Sequence, residues 1–152
     1  MTHLSFKEWQ DHASRVNFRS KAFIDGEFVS SVSGKTMNSI NPANGRILTK
    51  IAECDEKDIN KAVSSARRSF EKGSWSCMSP VERKVILLRL SELIRENLIE
   101  LALLDSLDMG KLVTDAANVD VPGSAMFFQW YAEAIDKIYD EIAPTGLGDL
   151  AM

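Results

Sequence analysis

Residues 79–110 read SPVERKVILLRLSELIRENLIELALLDSLDMG, and this run carries a clear helical signal. Residues 79–82 form a capping box with proline at the first helical position, which is a strong helix start. Leucine and isoleucine then recur at helical spacing and predict one buried stripe, made of Leu87, Leu90, Ile94, Leu98 and Leu101. We expect an interruption near Asn97 and a helix end at Gly110.

Two further helices are predicted, one on each side of this run. Asp55 is an N-cap for a helix that stops at Gly73. Its apolar stripe is Ile59, Ala62, Val63, Ala66 and Phe70. A longer helix follows Pro122 and is closed by residues 144–148. One of its faces carries Val121, Ala125, Phe128, Ala132, Ile135, Tyr139 and Ile142, and a second row of Phe127, Trp130, Ala134 and Ile138 widens the apolar arc.

Two β-hairpins are predicted ahead of these helices. The first spans residues 21–31 and turns at Asp25-Gly26, a dipeptide that tolerates the positive φ of a type I′ turn. The second pairs residues 36–40 with residues 46–51 across a loop in which proline fixes φ and Gly45 supplies a left-handed position. Short, half-apolar hairpins are marginal alone in water, so both must lie on other elements.

These elements favour the outer layer of a larger structure. Residues 1–20 are predicted to be a short helical lead-in with scattered apolar anchors, namely Leu4, Phe6, Trp9 and Val16. Buried parallel strands are near-continuous Val/Ile/Leu runs, and the sequence has none. We therefore predict a mainly α-helical chain with two short N-terminal β-hairpins, whose helices cover a sheet that this sequence does not contain.

Composition excludes several classes of function. Of the 152 residues, 45% are hydrophobic and 26% are charged, as in ordinary globular proteins. The net charge of −4 argues against nucleic acid or an anionic membrane as a partner. We expect neither a secretory signal nor a membrane helix, because no apolar run is long enough. Two cysteines make no disulfide framework, so we expect a cytoplasmic protein.

The residue types that carry metal or thiol chemistry are few and scattered. His3 and His12 lie in the lead-in, and neither has a neighbour at a ligand spacing, so we expect no metal site. Cys77 lies near a helix N-terminus, which favours a thiolate slightly, but no histidine follows it to act as a base. We expect Cys54 and Cys77 to be small, semi-buried and inert thiols.

Phosphate-binding and acid–base patterns are equally weak. The segment GLGDLA at residues 146–151 matches G-x-G-x-x-G/A, but it follows a helix instead of a strand and is interpreted as a chance match. Gly110-Lys111 lacks the other residues of a P-loop. Paired carboxylates at helical spacing indicate solvated helix faces, as for Asp105 with Asp108 and Asp136 with Asp140. No self-contained catalytic site is predicted.

The order of these segments resembles the start of an NAD(P)-dependent aldehyde dehydrogenase. The matching segments are FIDGE at 23–27, INPANG at 40–45, the helix at 59–75, SPVER at 79–83, ELALLDSLDMGK at 100–111 and QWYAEAIDKI at 129–138. Many members carry Thr or Asn at 109, proline at 112 and a basic residue at 129. This chain has Met109, Leu112 and Gln129 at those positions.

The resemblance implies an α/β, Rossmann-related subunit with a cofactor-binding domain, a catalytic domain and a β oligomerisation arm. Residues 21–152 would be an incomplete N-terminal part of the cofactor-binding domain that ends at the start of the arm. Members form a thiohemiacetal on a cysteine, pass hydride to NAD or NADP and hydrolyse the thioester with a glutamate as base. No position here matches those catalytic or cofactor-binding residues, and Cys54 and Cys77 are not the family nucleophile.

Two minor carry-overs follow from the resemblance. Backbone carbonyls near Ile40 and Asp108 correspond to a monovalent-cation position in some members, with ordinary loop carbonyls as the alternative. Gly123, with Met126 and Phe127, would border the substrate entrance of the complete enzyme, where a small residue widens the opening for a long aldehyde. Residues 130–137, with VPG at 121–123, are most similar to γ-glutamyl-γ-aminobutyraldehyde dehydrogenases of putrescine breakdown.

The expected function is therefore aldehyde oxidation to a carboxylic acid, by a homo-oligomeric enzyme of which this chain is an N-terminal fragment. We expect the fragment to be inactive and to fold poorly alone, because its apolar helix faces lack a partner layer. The alternative is a non-enzymatic truncated subunit that docks on a full-length homologue. An interrupted reading frame or a partial sequence is a third possibility.

Overall fold

The computed structural model describes residues 3–137, which form four short strands and seven α-helical segments. The strands are β1 (Ala22–Ile24), β2 (Glu27–Val29), β3 (Thr36–Ile40) and β4 (Ile47–Ala52). The helices are α1 (Phe6–Ala13), α2 (Glu56–Lys72), α3 (Ser74–Cys77), α4 (Pro80–Glu96), α5 (Leu98–Met109), α6 (Val113–Asp115) and α7 (Val121–Ala134). A π-helical turn, Ala116–Asp120, joins α6 to α7. The prediction of a mainly helical chain with two hairpins is confirmed.

Both hairpins form at the predicted places. β1 pairs with β2 in antiparallel register, and the turn residues Asp25 and Gly26 have φ values of 56° and 82°, as a type I′ turn requires. β3 pairs with β4, with an irregularity in register at Ser39/Ile40, and Gly45 takes the left-handed position with φ 68°. The Ala52 N–H donates to the Ser20 carbonyl over 2.8 Å, which ties the lead-in to the second hairpin.

Helix α2 holds the first hairpin through polar contacts. The buried Asp58 carboxylate accepts from the Val32 N–H at 2.9 Å and from the Asp55 N–H at 3.1 Å, while Asp55 caps the helix as predicted. Ser65 and Arg68 both donate to the Asp25 carboxylate, at 2.9 and 2.6 Å. These hydrogen bonds hold the pKa of Asp25 below its usual value.

The apolar stripe of α2 faces away from the rest of the described chain. Ile59, Val63 and Phe70 are each more than half exposed, so the helix contacts the hairpin through its polar face. The helix ends at Gly73 in an extended conformation. Glycine is needed there because a Cβ would lie 2.2 Å from the Ser69 carbonyl oxygen.

A small hydrophobic core forms where α1, α5, the π-helical turn and α7 meet. Its buried members are Trp9, Ala102, Leu103, Ala116, Ala117 and Val121. The predicted helical lead-in forms as α1. A capping box at Ser5 begins this helix, and burial of the Trp9 ring attaches it to the core. Gly110 ends α5 with φ 79°, and a Cβ there would lie 2.9 Å from the Pro42 side chain. The break at Asn97 is also confirmed.

Two expectations about the long helices are wrong in part. The α4 stripe is only partly buried, since Leu90 is 37% exposed and the sole fully buried residue of that helix is the polar Ser91. The last helical run begins at Val113 instead of after Pro122. The Val121 N–H bonds to Ala116 five residues back, so the π-helical turn carries the chain into Pro122 without a break. The predicted extension to Ile142 lies outside the described residues.

The apolar face predicted for α7 is confirmed in part within the described part of the chain. Val121, Ala125 and Ala132 are buried, whereas Phe128 is 39% exposed. No helix within residues 3–137 combines the length and apolar character needed to cross a bilayer.

Replacing Asp58 by asparagine is expected to loosen the loop that follows the first hairpin. Asparagine places an amide N–H₂ opposite one of two backbone donors, which leaves a buried donor unsatisfied at a cost of about 1–3 kcal/mol. Amide hydrogen exchange at Val32 should accelerate about tenfold or more. Glu56→Gln, two residues earlier and exposed, is the control. Equal exchange rates in the two variants would contradict this account of Asp58.

The ion pair between Lys84 and Asp136 joins α4 to the residues that follow α7, at 2.8 Å. With Lys137 also donating, it lowers the pKa of Asp136 from 3.8 to about 2. A lowered folded-state pKa contributes stability that is present above about pH 4 and is lost as the pH falls toward about 2. We expect Asp136→Asn to flatten the acid dependence of helicity, measured by circular dichroism. Glu92→Gln, whose ion partner lies on its own helix, should keep that dependence.

Candidate functional site

The outward surface of α7 is the main candidate for a functional role. We call Gly123, Met126, Phe127 and Trp130 the α7 outer face. The three side chains are 56%, 61% and 60% exposed, and a Cβ built on Gly123 meets no atom within 4 Å. The Trp130 ring lies edge-on to Tyr131, with ring centroids 4.9 Å apart. Gly123, Met126 and Phe127, which the resemblance assigns to a substrate entrance, therefore share this face with Trp130.

The position of this face follows from helical geometry. Ala125 faces inward and is fully buried, and Phe127 lies about 200° further round the helix axis. Gly123 and Trp130 fall on the same outward side for the same reason. The wide apolar arc of the sequence thus divides into an inward side, on which Ala125 and Ala132 are buried, and an outward side, on which Met126, Phe127 and Trp130 are exposed.

A polar network attaches the inward side of α7 to α4. The Ser91 hydroxyl donates to the Ala125 carbonyl at 2.6 Å, and Arg95 donates to Ser91 at 2.5 Å and to the Gln129 side-chain oxygen at 2.7 Å. Gln129 in turn donates to Glu133 at 2.9 Å. Sequence reasoning missed Ser91, because a serine inside an apolar stripe gives no signal of its burial. The one available signal is the serine–arginine pair at a four-residue spacing on α4.

An ion pair fixes the start of the last helical run. Lys111 lies 2.5 Å from the Asp120 carboxylate, across the π-helical turn. The hydrogen bond to Asp120 raises the pKa of Lys111. Lys111 therefore has a structural partner, and it does not form a phosphate-binding loop with Gly110.

The second hairpin meets the end of α5 at the two segments that the resemblance connects with a cation. The Ser39 hydroxyl donates to Asp108 at 2.7 Å, and the Pro42 ring lies against Gly110. Ile40 and Asp108 are therefore in adjacent segments, and the side chains at their junction offer oxygen donors. Asp108 is exposed and Asp105 is half-buried, on a shallow cleft that also includes Thr49. The prediction that both carboxylates lie on a solvated helix face therefore holds for Asp108, whereas Asp105 is only partly accessible to solvent.

The cysteines differ from expectation. Cys54 and Cys77 are both free and exposed, where semi-buried thiols were expected. Cys77 has Ser76 as its neighbour, with 4.0 Å between sulfur and oxygen, and within residues 3–137 neither thiol contacts a histidine or a carboxylate. Exposure follows from their positions in the link between β4 and α2 and in the one-turn α3.

Other candidate groups contribute no site within the described residues. No cluster of His, Cys, Asp and Glu in this part of the chain could hold a metal ion, and His3 and His12 are exposed. The GLGDLA segment at 146–151 and Asp140 lie outside the described residues.

Comparison with known proteins gives consistent matches. The model of the Aldehyde dehydrogenase family matches residues 28–152. An aminoacetaldehyde dehydrogenase of Pseudomonas aeruginosa is 46% identical over 98% of this chain and 30% of that protein. The indole-3-acetaldehyde dehydrogenase AldA of P. syringae, solved in complex with NAD+ and IAA, matches with a TM-score of 0.94 at 43% identity, over 97% of this chain and 30% of that one.

A further solved structure bears on the finer similarity. The γ-glutamyl-γ-aminobutyraldehyde dehydrogenase of Burkholderia cenocepacia matches with a TM-score of 0.91 at 45% identity, over 94% of this chain and 29% of that one. This chain therefore spans about a third of the length of the relatives it matches. Since the family model covers most of the chain and the folds superpose over nearly all of it, the chain belongs to the aldehyde dehydrogenase family.

Proposed function

We propose that this chain is the N-terminal portion of an NAD(P)-dependent aldehyde dehydrogenase subunit, which oxidises an aldehyde to the carboxylic acid. The observation that carries the proposal is the close match of the whole described fold to dehydrogenases about three times as long. The apolar outward faces of α2 and α7 support it, because large exposed apolar patches are typical of surfaces that another element covers.

In this proposal residues 21–152 are an incomplete part of the cofactor-binding domain. They have a structural role and contribute no catalytic residue. NAD or NADP, held by the remainder of the subunit, accepts the hydride. Helix α7 presents its outer face beside the opening through which the aldehyde enters, and the junction of Ile40 with Asp108 is a candidate position for a monovalent cation. The complete enzyme would be a cytoplasmic homo-oligomer.

We further propose that the chain alone is inactive. A cysteine nucleophile needs a base or an electropositive niche to become a thiolate. Both thiols are exposed, and neither contacts such a group in the described part of the chain. Catalysis also needs the nucleophile, base and oxyanion donors in fixed mutual geometry, and the described residues offer no such arrangement.

The proposed substrate is a long aldehyde with a polar tail, of the γ-glutamyl-γ-aminobutyraldehyde type met in putrescine breakdown. Similarity to the Burkholderia cenocepacia enzyme supports this class. Gly123 supports it independently, because a residue without a side chain leaves the α7 outer face open at its beginning.

A chimeric enzyme tests the proposed function. Residues 1–152 of this chain replace the matching segment of the aminoacetaldehyde dehydrogenase of Pseudomonas aeruginosa. We expect the chimera to reduce NAD+ in the presence of an aldehyde, measured by the absorbance of the reduced nicotinamide, and the chain alone to show no such activity.

The same relative without the replaced segment is the control, and it should be inactive. Turnover by the isolated 152-residue chain would overturn the inactivity proposal. A folded but inactive chimera would overturn the proposed function. The exposed apolar faces equally permit the alternative of a non-enzymatic docking subunit. Co-purification of this chain with the intact relative, together with an inactive chimera, would favour that alternative.

Gly123→Trp in the chimera tests the substrate entrance. An indole side chain would occupy the open space above the helix and obstruct a long aldehyde more than a short one. We expect the kcat/KM ratio of long to short aldehyde to fall by about tenfold, which is the size of a typical steric discrimination. Ser124→Trp, an exposed position on another side of α7, is the matched control. An unchanged ratio would remove Gly123 from the entrance.

A further inference from the structure

Helices α4 and α7 meet through two small buried residues. Ser91 is 1% exposed and Ala125 is fully buried, so the helix backbones approach closely at this point. The Ser91 hydroxyl can donate one hydrogen bond, and it donates this bond to the Ala125 carbonyl at 2.6 Å. A carbonyl oxygen has two acceptor positions, so this bond is additional to the one that the carbonyl makes within its own helix.

Arg95 connects this contact to a second residue of α7. Its guanidinium donates to Ser91 on its own helix and to the Gln129 side chain on the other, at 2.5 and 2.7 Å. Lys84 pairs with Asp136 and Ser91 with Ala125, so α4 and α7 run antiparallel, and the Arg95 and Gln129 side chains meet near the level of Ser91 and Ala125. The hydrogen bonds of Ser91, Arg95 and Gln129 therefore form one cluster, and the Lys84–Asp136 pair is a second contact seven residues earlier on α4. Together the cluster and the ion pair hold the axial position and the rotation of α7 on α4.

The orientation of the Gln129 amide is itself fixed. Its nitrogen donates to Glu133 at 2.9 Å, which leaves its oxygen directed at Arg95. A one-residue slip of α7 would rotate the helix by about 100° and break the contacts at Ala125 and Gln129 together. The same slip would turn the α7 outer face out of its present direction.

We propose that Arg95 is a positioning residue for substrate selection. Its bridge between Ser91 and Gln129 sets the rotation of α7, and this rotation sets how Met126, Phe127 and Trp130 are presented to an incoming aldehyde. The inference rests on the proposed function, because it takes the α7 outer face as the border of the entrance. Within residues 3–137 the Arg95 hydrogen bonds go to Ser91 and Gln129, neither of which belongs to that face, so Arg95 acts through the helix.

The test uses the chimeric enzyme with Arg95→Met, Gln129→Met and the double variant. Methionine keeps an unbranched apolar side chain, about as long as glutamine and shorter than arginine, and removes the hydrogen-bonding groups. Arg89→Met is the matched control, because Arg89 lies on the same helix and, in the described part of the chain, its ion pairs are with Glu92 and Glu96 of that helix. The substrates are indole-3-acetaldehyde and acetaldehyde, one large and one small.

We expect each single variant to change the ratio of KM values for the large and small aldehyde by at least about twofold to threefold, the lower end of coupling between residues in contact. The double variant should change it no further, because both substitutions break the same bridge. The kcat values should change equally for the two aldehydes. General loss of folded enzyme would lower both kcat values and leave the KM ratio where it is in Arg89→Met.

Amide hydrogen exchange across residues 125–130 gives a readout that does not depend on turnover. We expect faster exchange in Arg95→Met and Gln129→Met than in Arg89→Met, again with no further change in the double variant. Additive effects, exchange equal to that of Arg89→Met, or a KM ratio unchanged in an active enzyme would each overturn the inference. A folded, inactive chimera would overturn the proposed function alone, and the exchange data would then decide whether the bridge sets the rotation of α7.

Discussion

Close approach of helices through alanine is the contact on which this structure depends. Within residues 3–137 eight hydrophobic residues are buried, and five of them are alanines, namely Ala102, Ala116, Ala117, Ala125 and Ala132. Alanine brings backbones together but removes little apolar area from water, since its side chain is one methyl group. The described part of the chain therefore has a tightly packed but small core, in which the buried hydrophobic side chains larger than alanine are Trp9, Leu103 and Val121.

The position of the larger hydrophobic residues follows from this constraint. Ile59, Val63 and Phe70 on α2 and Phe127 and Trp130 on α7 are more than half exposed, because the alanine faces occupy the inward sides of the helices or the helix contacts its neighbours through polar groups. A surface of this kind is typical of an element that another layer covers. Membership of a family whose matched members are about three times as long agrees with that interpretation.

Polar contacts compensate for the small core by giving each element a defined place. Asp58 holds the loop after the first hairpin, Lys111 pairs with Asp120 across the π-helical turn, and Arg95 joins α4 to α7. These contacts are directional, whereas contact between alanine faces allows neighbouring helices to slide. In the proposed function this precision serves the α7 outer face, because the shape of an entrance depends on the rotation of the helix that lines it.

Local signals were sufficient to predict the starts of α2 and α4, the hairpin turns and the family, but they misplaced the start of the last helical run. These signals involve residues within a few positions of each other, so they can be recognised from the sequence alone. They are the helix caps at Ser79 and Asp55, the turn at Asp25-Gly26 and the helix end at Gly110. Helical spacing likewise identified Val121, Ala125 and Ala132 as an inward face. Spacing could not say which of several apolar faces would be buried, because that depends on which helix lies opposite.

Only the tertiary structure determined the buried Ser91, the exposed α2 stripe, the exposed thiols of Cys54 and Cys77 and the π-helical turn before Pro122. Each depends on residues distant in the chain: Ser91 is buried because Ala125, thirty-four positions later, leaves room for it. The candidate site divides in the same way. Gly123, Met126 and Phe127 could be named from the family resemblance, whereas the network that holds their helix required two helices to be brought together, since burial is a property of the pair and not of either segment.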